Sequence, residues 1–151
     1  MTSLTPTNAP TGLDVRTETV LLTCTNALVK GDLVMLTLAS GGYTACTKSA
    51  TADSTPDHIL GVATATVAAA AIGRITIKGI VDISRHDTGA AGLAVIVGGA
   101  AGRVTAAPTN PTDAGSAYVK VVGIALAAAA GAGDLVAVLF DGVNGVGSTN
   151  N

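Results

Sequence analysis

The chain has 151 residues, 48% of them hydrophobic, which is enough for one domain with a packed core. Only 2% are aromatic (Tyr43, Tyr118 and Phe140), so the core must be built from Val, Leu, Ile and Ala, and stacking platforms for sugars or single-stranded nucleic acid are lacking. The net charge is −2, and the eight basic residues are scattered from Arg16 to Lys120, which argues against a nucleic-acid-binding face.

Residues 1–13 carry Pro6, Pro10 and several Thr, Ser and Asn, and read as an extended N-terminal arm. They lack the basic and apolar regions of a signal peptide. A β-rich domain is expected over residues 14–142, followed by a loose tail over 143–151. Within the body, short β-type segments follow one another closely. They are Thr17–Thr25, Leu33–Leu38, Ile59–Thr66, Arg74–Lys78, Ile80–Ile83, Leu93–Val97, Arg103–Ala106, Tyr118–Leu126 and Leu135–Phe140. Gly, Asn, Asp or Pro separates most of them, the pattern of an all-β barrel or sandwich with little helix. Gly98–Gly102 lies between two strands and reads as a tight β-turn. Cys24 and Cys46 are too far apart for spacing to decide whether they pair, and are read as buried thiols acting as small hydrophobes. The longest charge-free runs are too short and too rich in Thr, Gly or Ala to span a bilayer.

Ala68–Ala71 and Ala127–Ala130 are helix-forming in composition. Each is flanked by Gly and is too short to hold a helix in water, so both are read as small-residue connections between strands. The two runs belong to an internal repeat. His58–Gly79 matches Val119–Gly142, with Gly61 against Gly123 and Gly79 against Gly142. Gly-Asp-Leu-Val also occurs twice, at Gly31–Val34 and Gly133–Val136, with a weaker copy lacking the Asp at Gly92–Val95. Gly supplies a turn conformation costly for other residues, Asp hydrogen-bonds the turn backbone, and Leu-Val enters a strand.

Groups for chemistry are sparse. His58 and His86 each have Ser and Asp nearby, but triad members normally come from distant segments, and no Gly-x-Ser-x-Gly elbow exists. The His86, Asp82 and Asp87 spacing matches no strong metal-ligand motif. There is no phosphate-binding loop. Both histidines read as polar loop residues, and no catalytic, metal or cofactor site is expected.

Val-Lys-Gly-Asp-Leu-Val, then Ile-Leu-Gly-Val-Ala with its small-residue run, then Gly-x-Ile-x-Ile-x-Gly-Ile-Val form a recognisable series. Val-Val-Gly-Ile-Ala-Leu-Ala-Ala-Ala-Ala-Gly-Ala-Gly-Asp-Leu-Val-Ala-Val-Leu-Phe closes it. The series, over about residues 28–142, resembles the small head-decoration (capsid cement) proteins of tailed bacteriophages. The resemblance implies a non-enzymatic virion protein on the outer capsid surface, made in the host cytoplasm. Its partners would be the major capsid protein and its own copies, as a homotrimer on the shell, with no nucleic acid and no membrane. The low charge suits a surface covered by partners. Candidate contacts are Thr5 and Pro6 in the arm, and Ala70, Ala71, Ala129 and Ala130 in the connections. The alternative is a virion- or cell-surface adhesion module that binds a host glycan or protein.

Overall fold

The computed structural model describes residues 16–36, 45–48, 59–84, 88–107, 119–141 and 147–148. Ten strands and no helix are found among them. In chain order they are β1 (Glu18–Cys24), β2 (Leu33–Leu36), β3 (Ala45–Lys48), β4 (Ile59–Ala63) and β5 (Ile72–Ser84). The second half continues with β6 (Ala94–Val97), β7 (Val104–Ala106), β8 (Val119–Ala125), β9 (Leu135–Asp141) and β10 (Gly147–Ser148). The all-β expectation holds. Two expected segments, Arg74–Lys78 and Ile80–Ile83, are one long strand, β5, which runs through Gly79. Strands β3 and β10 lack a sequence signal; β10 lies against β8, inside the segment expected to be a loose tail.

All ten strands belong to one sheet, in the order β1-β3-β2-β4-β5-β9-β8-β6-β7, with β10 on β8 and a further pairing of β1 with β5. That last pairing closes β1, β3, β2, β4 and the first half of β5 into a five-stranded barrel. The second half of β5 leaves it and pairs with β9. Lys78 marks the exchange, facing Glu18 of β1 on one side and Asp141 of β9 on the other. The sheet is thus barrel-shaped and nearly closed. The Leu33 amide donates to the Gly102 carbonyl at 2.7 Å and ties the β6–β7 turn back onto β2.

The internal duplication is structural. Strand β2 pairs with β3 and, across a bulge after Val34, with β4; β6 pairs with β7 and, across a bulge after Val95, with β8. The ladder Thr23↔Ile72 to Val20↔Ile75 of β1–β5 corresponds to Ser84↔Leu135 to Val81↔Val138 of β5–β9. Gly61 and Gly123 are equivalent too. A side chain at Gly61 would collide with the Thr76 carbonyl, and one at Gly123 with the Leu139 carbonyl, so both sites demand glycine for close backbone approach.

Two apolar clusters fill the molecule. The smaller lies in the first barrel and holds Cys24, Leu28, Val34, Ala63 and Ile75. The larger joins Leu33, Ile59 and Val62 of the first repeat to Val81, Ile83, Val95, Val136, Val138 and Phe140, among others, of the second. Cys24 is fully buried, with Sγ 3.7 Å from the Leu22 carbonyl, and Cys46 is its register partner across β1–β3.

Each of the strands β2, β5, β6 and β9 is opened by a residue with left-handed backbone: Gly31 (φ +89°), Ala70 (φ +63°), Gly92 (φ +83°) and Gly133 (φ +93°). Gly92 keeps the conformation without the Asp, and its amide donates to Ala125 as that of Gly31 donates to Ala63. Ala70 stands where the second repeat has Gly133 and is the only non-glycine in this region among the described residues. A Cβ there costs about 1–2 kcal/mol, against about 0.5–1 kcal/mol of added chain entropy for glycine. Ala70→Gly should therefore stabilise the fold by roughly 0.5–1 kcal/mol. Gly31→Ala should destabilise it by about 2–3 kcal/mol, because it adds a collision with Leu135 to the strain. Chemical denaturation of the two variants beside the parent chain checks both signs.

Candidate interaction surfaces

The turn before β2 is built around a carboxylate. Asp32 is nearly buried, and its Oδ2 accepts the Val29 amide at 2.8 Å and the Lys48 ammonium at 3.0 Å. The Asp32 amide returns a bond to the Val29 carbonyl at 3.0 Å. These four residues form a β-turn whose last residue, Asp32, folds its carboxylate back onto the amide three positions before it. Gly102 closes over the pair; a side chain there would stand 2.8 Å from both Asp32 Oδ1 and Lys48 Cγ.

The turn before β9 repeats the chemistry in the open. Asp134 Oδ2 accepts the Gly131 amide at 2.7 Å and the Ala130 amide at 3.1 Å. Asp134 is exposed, and the Arg103 guanidinium lies alongside Gly133. One tetrapeptide thus serves a buried, ion-paired site in one repeat and a solvated turn in the other.

The alanine runs are bends and turns, as expected. Ala70 is exposed and its amide donates to the Cys24 carbonyl at 2.8 Å; Ala71 is half-buried. Ala130 is exposed, whereas Ala129 is buried in the larger core and bridged to Gly89. Ala129 is therefore committed to the chain's own interior, and Ala70 and Ala130 are the members presented to solvent. Thr5, Pro6, His58, His86 and Asp87 lie outside the described residues. Asp82 is half-exposed and pairs with Lys30 at 3.4 Å.

A groove of about 380 Å³ runs beside that ion pair, lined by Thr17, Thr19, Lys30, Arg74, Thr76 and Asp82 among others. Its hydroxyls and long cationic side chains can hydrogen-bond a polar partner, and Val62, Ile80 and Val81 add apolar surface. Among the described residues no three His, Cys, Asp or Glu side chains cluster as a metal site would require. No helix there is long and apolar enough to cross a membrane.

Large apolar side chains stand exposed on several strands. Leu21 is 65% exposed and Ile72 is 70% exposed on the outer face of the β1–β5 ladder, and Ile124 is 45% exposed on β8. Leu21 shares its face with Thr19 and Thr23, and Ile72 with Arg74, Thr76 and Lys78, so alternation marks both as outward; in β8 both faces carry apolar residues and periodicity assigns no outer face.

No family model matches the chain, and no curated protein matches its sequence. The fold is similar to that of the head fiber gp8.5 N base of bacteriophage phi29. The TM-score is 0.58 at 14% identity, over 90% of this chain and 99% of that one.

Asp32→Ala would orphan the Val29 amide and strip Lys48 of its partner, at a cost of about 1.5–3 kcal/mol. Asp134→Ala, with water free to replace its bonds, should cost no more than about 1 kcal/mol. Thermal unfolding of the two variants tests the contrast; equal losses would contradict it.

Proposed function

We propose that this chain is a phage head decoration protein, which binds the outer surface of the assembled capsid as a trimer and stabilises the shell. The observation that carries the reading is the fold likeness to a phage head fiber base, which takes in nearly the whole of both chains. The low charge and the exposed apolar side chains Leu21, Ile72 and Ile124 support it, since such a surface suits a protein covered by neighbours. The barrel supplies rigidity, and the small connections at Ala68–Ala71 and Ala127–Ala130 allow close approach of a neighbour's backbone.

A decoration protein acts through linkage. It binds the assembled shell and not its dissociated parts, so every occupied site adds to the cost of disassembly. Trimers would engage several subunits at once, and modest individual contacts become strong in combination. The arm, residues 1–13, would extend the reach of each copy, since thirteen extended residues span at most about 43–47 Å. Neither histidine would take part.

Purified protein added to expanded, empty heads of its own phage is expected to co-sediment to a saturating stoichiometry and to raise the melting temperature of the shell. Deletion of residues 2–12 is expected to leave the barrel folded and lower both occupancy and shell stability. Absence of binding to such heads, with binding to host cells or their glycans, would favour the adhesion reading instead. His58→Asn with His86→Asn should leave the circular dichroism spectrum and head binding unchanged; loss of binding by a folded double variant would reveal a site at these residues.

A further inference from the structure

The bend of β5 builds the groove beside the Lys30–Asp82 pair. As far as Lys78 the strand pairs with β1 and β4; from there on it pairs with β9. The groove lies in the crook, with Thr19, Arg74 and Thr76 on one side and Ile80, Val81 and Asp82 on the other. Ligand sites concentrate in crevices between packed units of this kind.

Strand alternation aims the first wall. Ile75 and Ala63 belong to the core of the first barrel, so their neighbours Thr76 and Val62, which face each other across the β4–β5 ladder, point the other way. Thr19 faces Thr76 from β1. Thr19, Thr76 and Val62 thus form a row across the floor of the groove. Thr76 is only 2% exposed, yet among the described residues its hydroxyl has no hydrogen-bond partner. The exposed Thr64 hydroxyl, in the same lining, does have one, the Arg74 carbonyl at 3.1 Å. A buried hydroxyl without a partner is costly and rare in native proteins.

The charges point the same way. Lys30, Arg74 and Asp82 line the groove, and Asp82 holds Lys30 at 3.4 Å. Arg74 is exposed and makes no ion pair among the described residues. It lies two residues before Thr76 on the same face of β5, about 7 Å along the strand, within reach of its long side chain.

We propose that this groove receives a carboxylate on an aliphatic stem, the side chain of a glutamate or aspartate of a partner protein. The Arg74 guanidinium pairs with the carboxylate, Thr76 and Thr19 donate their hydroxyls to it, and the stem lies against Val62, Ile80 and Val81. One net positive charge in the lining matches a monoanion. A phosphate dianion would leave a charge uncompensated and set it beside Asp82. The inference stands on the groove alone; on the proposed function the partner is a protein of the head.

Nuclear magnetic resonance titration of the full chain, without capsids, tests it. The probe is the peptide acetyl-Ala-Glu-Ala-amide, with acetyl-Ala-Gln-Ala-amide and inorganic phosphate as comparisons. The glutamate peptide is expected to shift the amide signals of Thr19, Thr76 and Ile80 saturably at millimolar concentration, and the other two to leave them in place. Arg74→Gln should weaken this binding at least about tenfold, the scale of a charge-assisted hydrogen bond. Thr76→Val exchanges the hydroxyl for a methyl group. It should weaken binding about threefold or more and leave the melting temperature unchanged or higher, because no bond within the fold is lost. A lower melting temperature for Thr76→Val would show a structural bond at that hydroxyl and overturn the inference. So would equal binding of the glutamine peptide, the same shifts with phosphate, or an Arg74→Gln chain that binds like the parent. Head binding without peptide binding overturns the groove alone; peptide binding without head binding overturns the capsid reading and leaves the groove standing.

Discussion

Leu33 and Val34 are neighbours in the chain and end in different cores. Val62 and Ala63 divide in the same way on the facing strand. Strands β2 and β4 are therefore buried on both faces, one against the first barrel and one against the second repeat. The composition makes this necessary. Among the described residues Phe140 is the only aromatic in either core, so apolar area must come from aliphatic side chains, each contributing about 1.5–3 kcal/mol when fully buried. One five-stranded barrel of Val, Ala and Leu encloses few of them. Folding two such units around a shared face brings Phe140, Ile83 and Val138 into one interior with Leu33, Ile59 and Val62.

The turns are a second economy. Five strands, β7 with Gly102 among them, begin from a left-handed residue, and at two of these the following Asp folds its carboxylate back onto the turn amides. Burial and not motif decides what each copy does. Asp32 is enclosed with Lys48 beneath Gly102, while Asp134 closes a solvated bend. The departure at Ala70 shows that geometry is imposed by the sheet, since an alanine is held in a conformation it disfavours.

A rigid, nearly closed barrel with exposed aliphatic patches is suited to docking. The groove beside its Lys30–Asp82 ion pair is lined by threonines and Arg74 together with apolar residues such as Val62 and Val81. The likeness to a phage head fiber base concerns the fold, and the reading of the chain as a capsid decoration protein draws on that likeness together with the surface.

Sequence by itself settled the class. The Gly-punctuated Val, Ile and Thr segments specify strands, Gly-Asp-Leu-Val specifies the turn that opens a strand, and the match of His58–Gly79 with Val119–Gly142 specifies a duplication, because all three are local or self-referring signals. It did not place Ala129, which is small enough to suit either a surface or a core and is buried against Gly89. Nor could it see β3, whose Ala-Cys-Thr-Lys has no strong periodicity and becomes a strand by lying between β1 and β2. Which faces of the repeats are covered was also decided only in three dimensions. Val62 and Ile124 occupy equivalent positions in equivalent strands, and one is buried while the other is exposed, because the second repeat packs its core over the β2–β4 face of the first.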